Sequence, residues 1–168
     1  MKALTTLLAA IMITGCGPAE ESLEAGDETT AKLQVMASYE GRLTLDPNEQ
    51  SPEPSELIIR NQADYEAFVV RIPKRKITRT RPAPPSDDPL LGKPAIDFEN
   101  NMILVAIRSD SMYVSPQFES IVADKNALIV RISDPDLGET GSANQQGGIG
   151  TYQAVVVPKR KGPIQFIR

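Results

Sequence analysis

The chain has 168 residues, 18 basic and 22 acidic, for a formal net charge of −4. It holds one cysteine, no histidine and no tryptophan, which excludes histidine-based nucleophilic catalysis, an internal disulfide and the usual cysteine–histidine zinc sites. A mildly acidic balance also speaks against a dedicated nucleic-acid binder, whose domains are strongly basic, and the length suits one domain with a short extension.

The first expected element is a signal peptide over residues 1–15. Met1-Lys2 gives a short positive start, and Ala3 to Ile13 is apolar apart from two threonines. As a helix this run is ~16 Å long at ~1.5 Å per residue. That is too short to cross a bilayer and suits a signal-peptide core. It ends in Ile13-Thr14-Gly15-Cys16, which resembles the bacterial lipobox. The resemblance implies that Cys16 takes a diacylglycerol through its thiol and becomes the first residue of the mature protein. Each buried acyl methylene adds about 0.8 kcal/mol, and two chains anchor stably. The expected location is therefore the cell membrane or outer membrane, facing the periplasm or the exterior. Gly17 in place of aspartate favours the outer membrane by analogy with enteric lipoproteins.

Residues 16–32 read as a disordered acidic tether. From Gly17 onward they carry one large aliphatic side chain, Leu23, and five acids, too little apolar area to offset the entropy of ordering. A β-rich globular domain is expected over residues 33–168. Leu33, Val35 and Ala37 alternate with Gln34, Met36 and Ser38, a strand pattern that Tyr39 to Leu45 continues. Asp46-Pro47-Asn48 and Ser51-Pro52-Glu53-Pro54 are loop chemistry, and Leu57 to Arg60 is a short strand. Asn61 is placed to cap a helix, with Asp64 at its third position. Tyr65, Phe68, Val69 and Ile72 then form one apolar stripe, and Pro73 ends it.

Residues 74–94 are rich in proline and expected to be irregular. Lys74, Arg75, Lys76, Arg79 and Arg81 follow one another without an intervening acid, so they are candidates for contact with an anionic surface, either lipid headgroups or an acidic partner. A solvated loop is the plain alternative. Met102 to Ile107 is apolar on both faces, as a strand covered on both sides would be. Gln117–Ala123 and Ala127–Ser133 flank the polar turn Asp124-Lys125-Asn126, with Leu128, Val130 and Ile132 on one face. Tyr152–Val157 is another strand, and Ile164–Ile167 a final hairpin strand beyond Lys159-Arg160-Lys161-Gly162. The expected class is α+β: a mainly antiparallel sheet, meandering in its C-terminal half, with one amphipathic helix packed on it.

The glycine-rich stretch Gly138–Gly150 lacks the Lys-Ser/Thr of a phosphate loop and leads into a strand, so it reads as a connection. Asp134, Asp136 and Glu139 do not have the spacing of an EF-hand. No metal, cofactor or catalytic residue is implied.

Asp97-Phe98-Glu99-Asn100-Asn101 before the Met102–Ile107 strand, the following hairpin, and Gly150-Thr151-Tyr152-Gln153-Ala154-Val155-Val156-Val157-Pro158 resemble the C-terminal domain of PrcB-type proteins. These resemble accessory lipoprotein subunits of bacterial surface protease complexes. The resemblance covers roughly residues 57–167 and transfers no catalytic residue. That family often enters its hairpin through Gly-Gly-Tyr, whereas Ser109-Asp110-Ser111-Met112-Tyr113 keeps only the tyrosine. Two readings follow: a membrane-anchored, non-catalytic interaction module with an envelope protein partner, or a ligand-binding or minor hydrolytic lipoprotein using loop carboxylates.

Overall fold

Met102 to Ile107 is buried along its whole length, and its two faces point into two different cores. The computed structural model describes residues 31–45, 56–79, 81–124, 127–136 and 148–168. The elements are β1 (Ala31–Lys32), β2 (Ala37–Thr44), β3 (Glu56–Ile59), α1 (Gln62–Val70), a 3₁₀ turn (Pro89–Gly92), β4 (Asn101–Arg108), β5 (Gln117–Ala123), β6 (Leu128–Ser133), β7 (Ile149–Pro158) and β8 (Ile164–Ile167). The signal peptide, Cys16, most of the tether, the loops at Asp46–Pro54, Lys125-Asn126 of the hairpin turn and most of the glycine-rich connection lie outside the described residues.

The strands form two four-stranded sheets, ordered β2-β7-β4-β3 and β1-β5-β6-β8. Because strand side chains alternate faces, Ile103, Val105 and Ile107 join Tyr152, Ala154 and Val156 on one face of the first sheet. Met102, Leu104 and Ala106 join Val155 and Val157 on the other. The second face packs against Ile121, Leu128, Val130 and Ile132 of the second sheet, and the first against Tyr65, Phe68 and Ile72 of α1 and Leu90 of the 3₁₀ turn. The molecule therefore has three layers, with the β2-β7-β4-β3 sheet in the middle. Both sheets and both cores are built within residues 31–168, so a fragment beginning at Ala31 carries the whole described fold.

The α+β class with one helix is as expected, and so is the apolar stripe. Asn61 Oδ1 accepts from the Asp64 N–H at 2.9 Å, and Tyr65, Phe68 and Ile72 are buried with Val69 partly so. The Phe68 and Tyr152 rings meet edge to face, centroids 5.2 Å apart. Leu128, Val130 and Ile132 share a buried face, and β5 and β6 form the expected hairpin.

Three expectations are corrected. The strand predicted from Leu33 begins only at Ala37, because Leu33 to Met36 carries the chain from the edge of one sheet to the edge of the other. Leu33 sits in the inter-sheet core, whereas Ala37 and Tyr39 pack against the helix core. The C-terminal half is not a meander, since β4 pairs with β3 and β7 and not with β5. Only β4 and β7 are apolar on both faces, so they take the middle of the central sheet. Finally, β8 does not form a hairpin with β7. Both edges of β7 are occupied by β2 and β4, and β8 crosses to the other sheet to pair in parallel with β6. Residues Ala31 and Lys32, at the expected end of the tether, already pair with Ala123 and Val122.

Arginines close one end of the sandwich. Arg108 Nη1 donates to the Pro135 carbonyl at 2.6 Å, and its Nε pairs with Asp110. Arg168 Nη2 donates to the Ile107 carbonyl at 2.8 Å, and its other nitrogens reach Glu56 and Asp134. At the Ser109–Tyr113 loop, the buried Ser111 hydroxyl accepts from the Tyr113 and Val114 N–H groups. That serine turn forms the corner without a glycine.

Candidate functional site

Strand β2 lies at the edge of the central sheet, where unpaired N–H groups would face solvent. The segment from Pro73 to Gly92 is the strap that covers it. Its arms run antiparallel: the Lys76 N–H donates to the Pro84 carbonyl at 2.9 Å, and the Ser86 N–H to the Lys74 carbonyl at 3.0 Å. At the strap's root the Thr44 N–H donates to the Arg71 carbonyl at 2.8 Å.

Asp88 fastens the strap to the sheet. Its carboxylate accepts from the Leu90 N–H at 3.0 Å, from the Tyr152 hydroxyl at 2.8 Å and from the backbone N–H of Arg42. The first of these caps the 3₁₀ turn, and the second gives the buried tyrosine the partner it needs. Gly41 makes the approach feasible, since a Cβ there would lie 1.9 Å from Asp88 Oδ2. Burial holds the Asp88 carboxyl above the usual carboxylate range despite these donors. Burial, reinforced by the Asp88 charge, pushes the Tyr152 hydroxyl far above its ordinary value. Tyr65 is raised likewise, chiefly by burial, and its hydroxyl donates to the Leu90 carbonyl at 3.1 Å.

The strap encloses a cleft of about 490 Å³ against β2, lined by Arg42, Arg75, Lys76, Thr78, Asp87 and Asp88 among others. Lys76 Nζ meets Asp87 at 2.7 Å, which holds that carboxyl below its usual range. Arg75 Nη1 donates to the Ala83 carbonyl at 2.8 Å, and Arg42 Nε to the Met112 carbonyl at 2.9 Å. These cations are used in holding the strap and its neighbours together.

Of the residues singled out in the sequence, Lys74, Arg75 and Lys76 share the first arm, and Arg79 and Arg81 stand exposed beyond it on the way to the second. Asp134 is committed to Arg168, and Cys16 and Glu139 lie outside the described residues. Among the described residues no group of three or more His, Cys, Asp or Glu is placed to hold a metal ion.

Sequence reasoning missed two features. One is Asp88, read only as loop chemistry; a Tyr in an apolar strand, whose hydroxyl needs a partner, was its only signal. The other is a second hollow of about 570 Å³ between the outer flank of α1 and the strap, lined by Val69, Val70, Leu91, Glu66, Lys74 and Lys93 among others. Comparisons with family models, curated proteins and solved structures gave no match.

Proposed function

We propose that the chain is a lipid-anchored envelope protein whose globular domain is a non-catalytic interaction module, acting as an accessory subunit of a surface protease complex of the PrcB type. The observation that carries the reading is the run Ala3–Ile13 ending in Ile13-Thr14-Gly15-Cys16, since a short apolar core followed by such a box is the signal for lipidation at the cysteine. The chemistry of the strap supports a module over an enzyme. Asp88 is bonded to Tyr152 and two backbone N–H groups, and Lys76 to Asp87, so the ionisable groups gathered there hold the fold.

Intact-mass measurement of the membrane-extracted protein tests the anchor. The expected species begins at Cys16 with its lipid, and Cys16→Ser abolishes that species, leaving uncleaved or mislocalised chain. An unmodified Cys16 or a mature N-terminus elsewhere sinks the reading. Co-purification from detergent-solubilised membranes tests the module: a stoichiometric protein partner supports it, and a lone chain with hydrolytic activity refutes it.

A further inference from the structure

We propose that the hollow between α1 and the strap is a docking groove for an acidic peptide segment of a partner protein, one with an apolar side chain flanked by carboxylates. The inference deepens the interaction-module reading and rests on it. Val70 is 81% exposed on the outer flank of a helix whose opposite flank is buried, and with the partly buried Val69 and Leu91 it gives the hollow its apolar lining. Lys74 and Lys93 line it as well. Glu66 also lines it and keeps its charge while accepting from the Gln62 side-chain amide at 2.9 Å, so the lining carries two cations and one anion. An apolar lining with a net positive charge is complementary to an apolar anchor with carboxylates beside it. A concave slot of this volume takes side chains, whereas a bilayer surface is flat.

Lys93 offers a handle for testing the site. It sits just past the 3₁₀ turn in the left-handed region, φ 50° and ψ 63°, where glycine is the favoured residue. Gly92 precedes it, yet the left-handed position is given to a lysine. In this conformation the Lys93 N–H donates to the Leu90 carbonyl at 3.1 Å and closes the turn as a left-handed cap does. Its side chain lines the same hollow as Lys74.

The position allows function and stability to be separated. Lys93→Gly removes both the strain and the charge, so in the fragment beginning at Ala31 it should raise the denaturant midpoint while weakening binding. The probe is a fluorescein-labelled peptide of leucines and glutamates, read by anisotropy, and by amide shifts in the ¹⁵N-labelled fragment. Expected are shifts at Val69, Val70, Leu91 and Lys93 and binding that weakens with salt, as the screening length falls from about 10 Å at 0.1 M to about 3 Å at 1 M. Lys93→Gly should lower affinity about fivefold, the size of one exposed ion pair, and Val70→Ser should lower it also. Shifts confined elsewhere, or unchanged binding by both variants, overturn the proposal. So does equal binding of a probe with serines in place of leucines, which needs no groove. Shifts at these amides from phosphatidylglycerol vesicles but not from the peptide would assign the groove to membrane. Equally tight binding of a peptide of residues 19–28 would assign it to the chain's own acidic segment. None of these outcomes depends on lipid at Cys16, so failure here is distinct from failure of the anchoring reading.

Discussion

Gly41 and Asp88 are a pair in which each residue is explained only by the other. The carboxylate occupies the space that a side chain at position 41 would fill. Gly41→Ala must therefore displace Asp88 from Tyr152 and from the Arg42 N–H, leaving buried polar groups without partners, each costing about 1–3 kcal/mol. A drop of that order in thermal or denaturant stability is expected, with the 3₁₀ turn losing its cap. The Asp88 carboxyl also has a pH signature. Its folded pKa is raised, so the folded state holds the proton more tightly than the unfolded chain. The stabilisation this proton provides is complete below the ordinary aspartate range and is lost as pH rises through the raised value. Asp88→Asn cannot titrate. The stability advantage of the native protein over Asp88→Asn should accordingly grow as pH falls through that window, measured by urea midpoints of both proteins. An advantage that shrinks on acidification would show that the carboxylate form is the one the fold prefers. Asp87, Asp97 and Asp110 are held low by bonds to Lys76, Asn100 and Arg108. Their contributions run the opposite way and are lost on acidification, which is why the comparison with the variant is needed.

At the scale of elements, α1 docks through Tyr65 and Phe68, with Ile72 just beyond its end. Phe68 is 3% exposed and stacks edge to face on Tyr152, the residue that also holds Asp88. Helix, sheet and strap thus meet at one tyrosine. Phe68→Ala removes the ring from a closed core and should cost about 3–5 kcal/mol, read as a lowered denaturant midpoint in the fragment from Ala31. The strap answers a different need. Its arms, with the backbone bonds of Thr44 and Arg42, cover the outer edge of β2. Without such cover an exposed edge is a template for pairing with another chain.

For the molecule as a whole, the order of layers sets the order of stability. β4 and β7 are paired along both edges and buried on both faces. β1 is two residues long and exposed, and β8 pairs along one edge and is only partly buried. Hydrogen exchange should therefore be slowest in Met102–Ile107 and Tyr152–Val157 and fastest in β1 and β8. Slow exchange in β8 comparable to that of β4 would mean that the arginine clasp at Arg168 ties the outer sheet into the same cooperative unit as the centre.

What the sequence determines by itself is local. The cap at Asn61, the buried stripe Tyr65–Phe68–Ile72 and the two-faced apolar strand at Met102–Ile107 follow from hydrogen-bond geometry and from side-chain periods within a few residues, although the helix ends at Val70, short of Ile72 and Pro73. The basic strap was visible as charge, but its folding back on itself was not, because two of the bonds between its arms join backbone groups that any residue type carries, and the Lys76–Asp87 pair is one of many a charged stretch could form. Tertiary structure alone decided which sheet each strand enters. The short apolar strands β5, β6 and β8 read much alike, and β8 left its sequence neighbour because both edges of β7 were already taken. It alone placed Asp88 over Gly41, since a carboxylate and a glycine forty-odd positions apart carry no mark of each other. It alone also brought Val70, Leu91, Lys74 and Lys93 into the lining of one hollow, because the helix and the strap acquire a shared hollow only when both are docked on the central sheet.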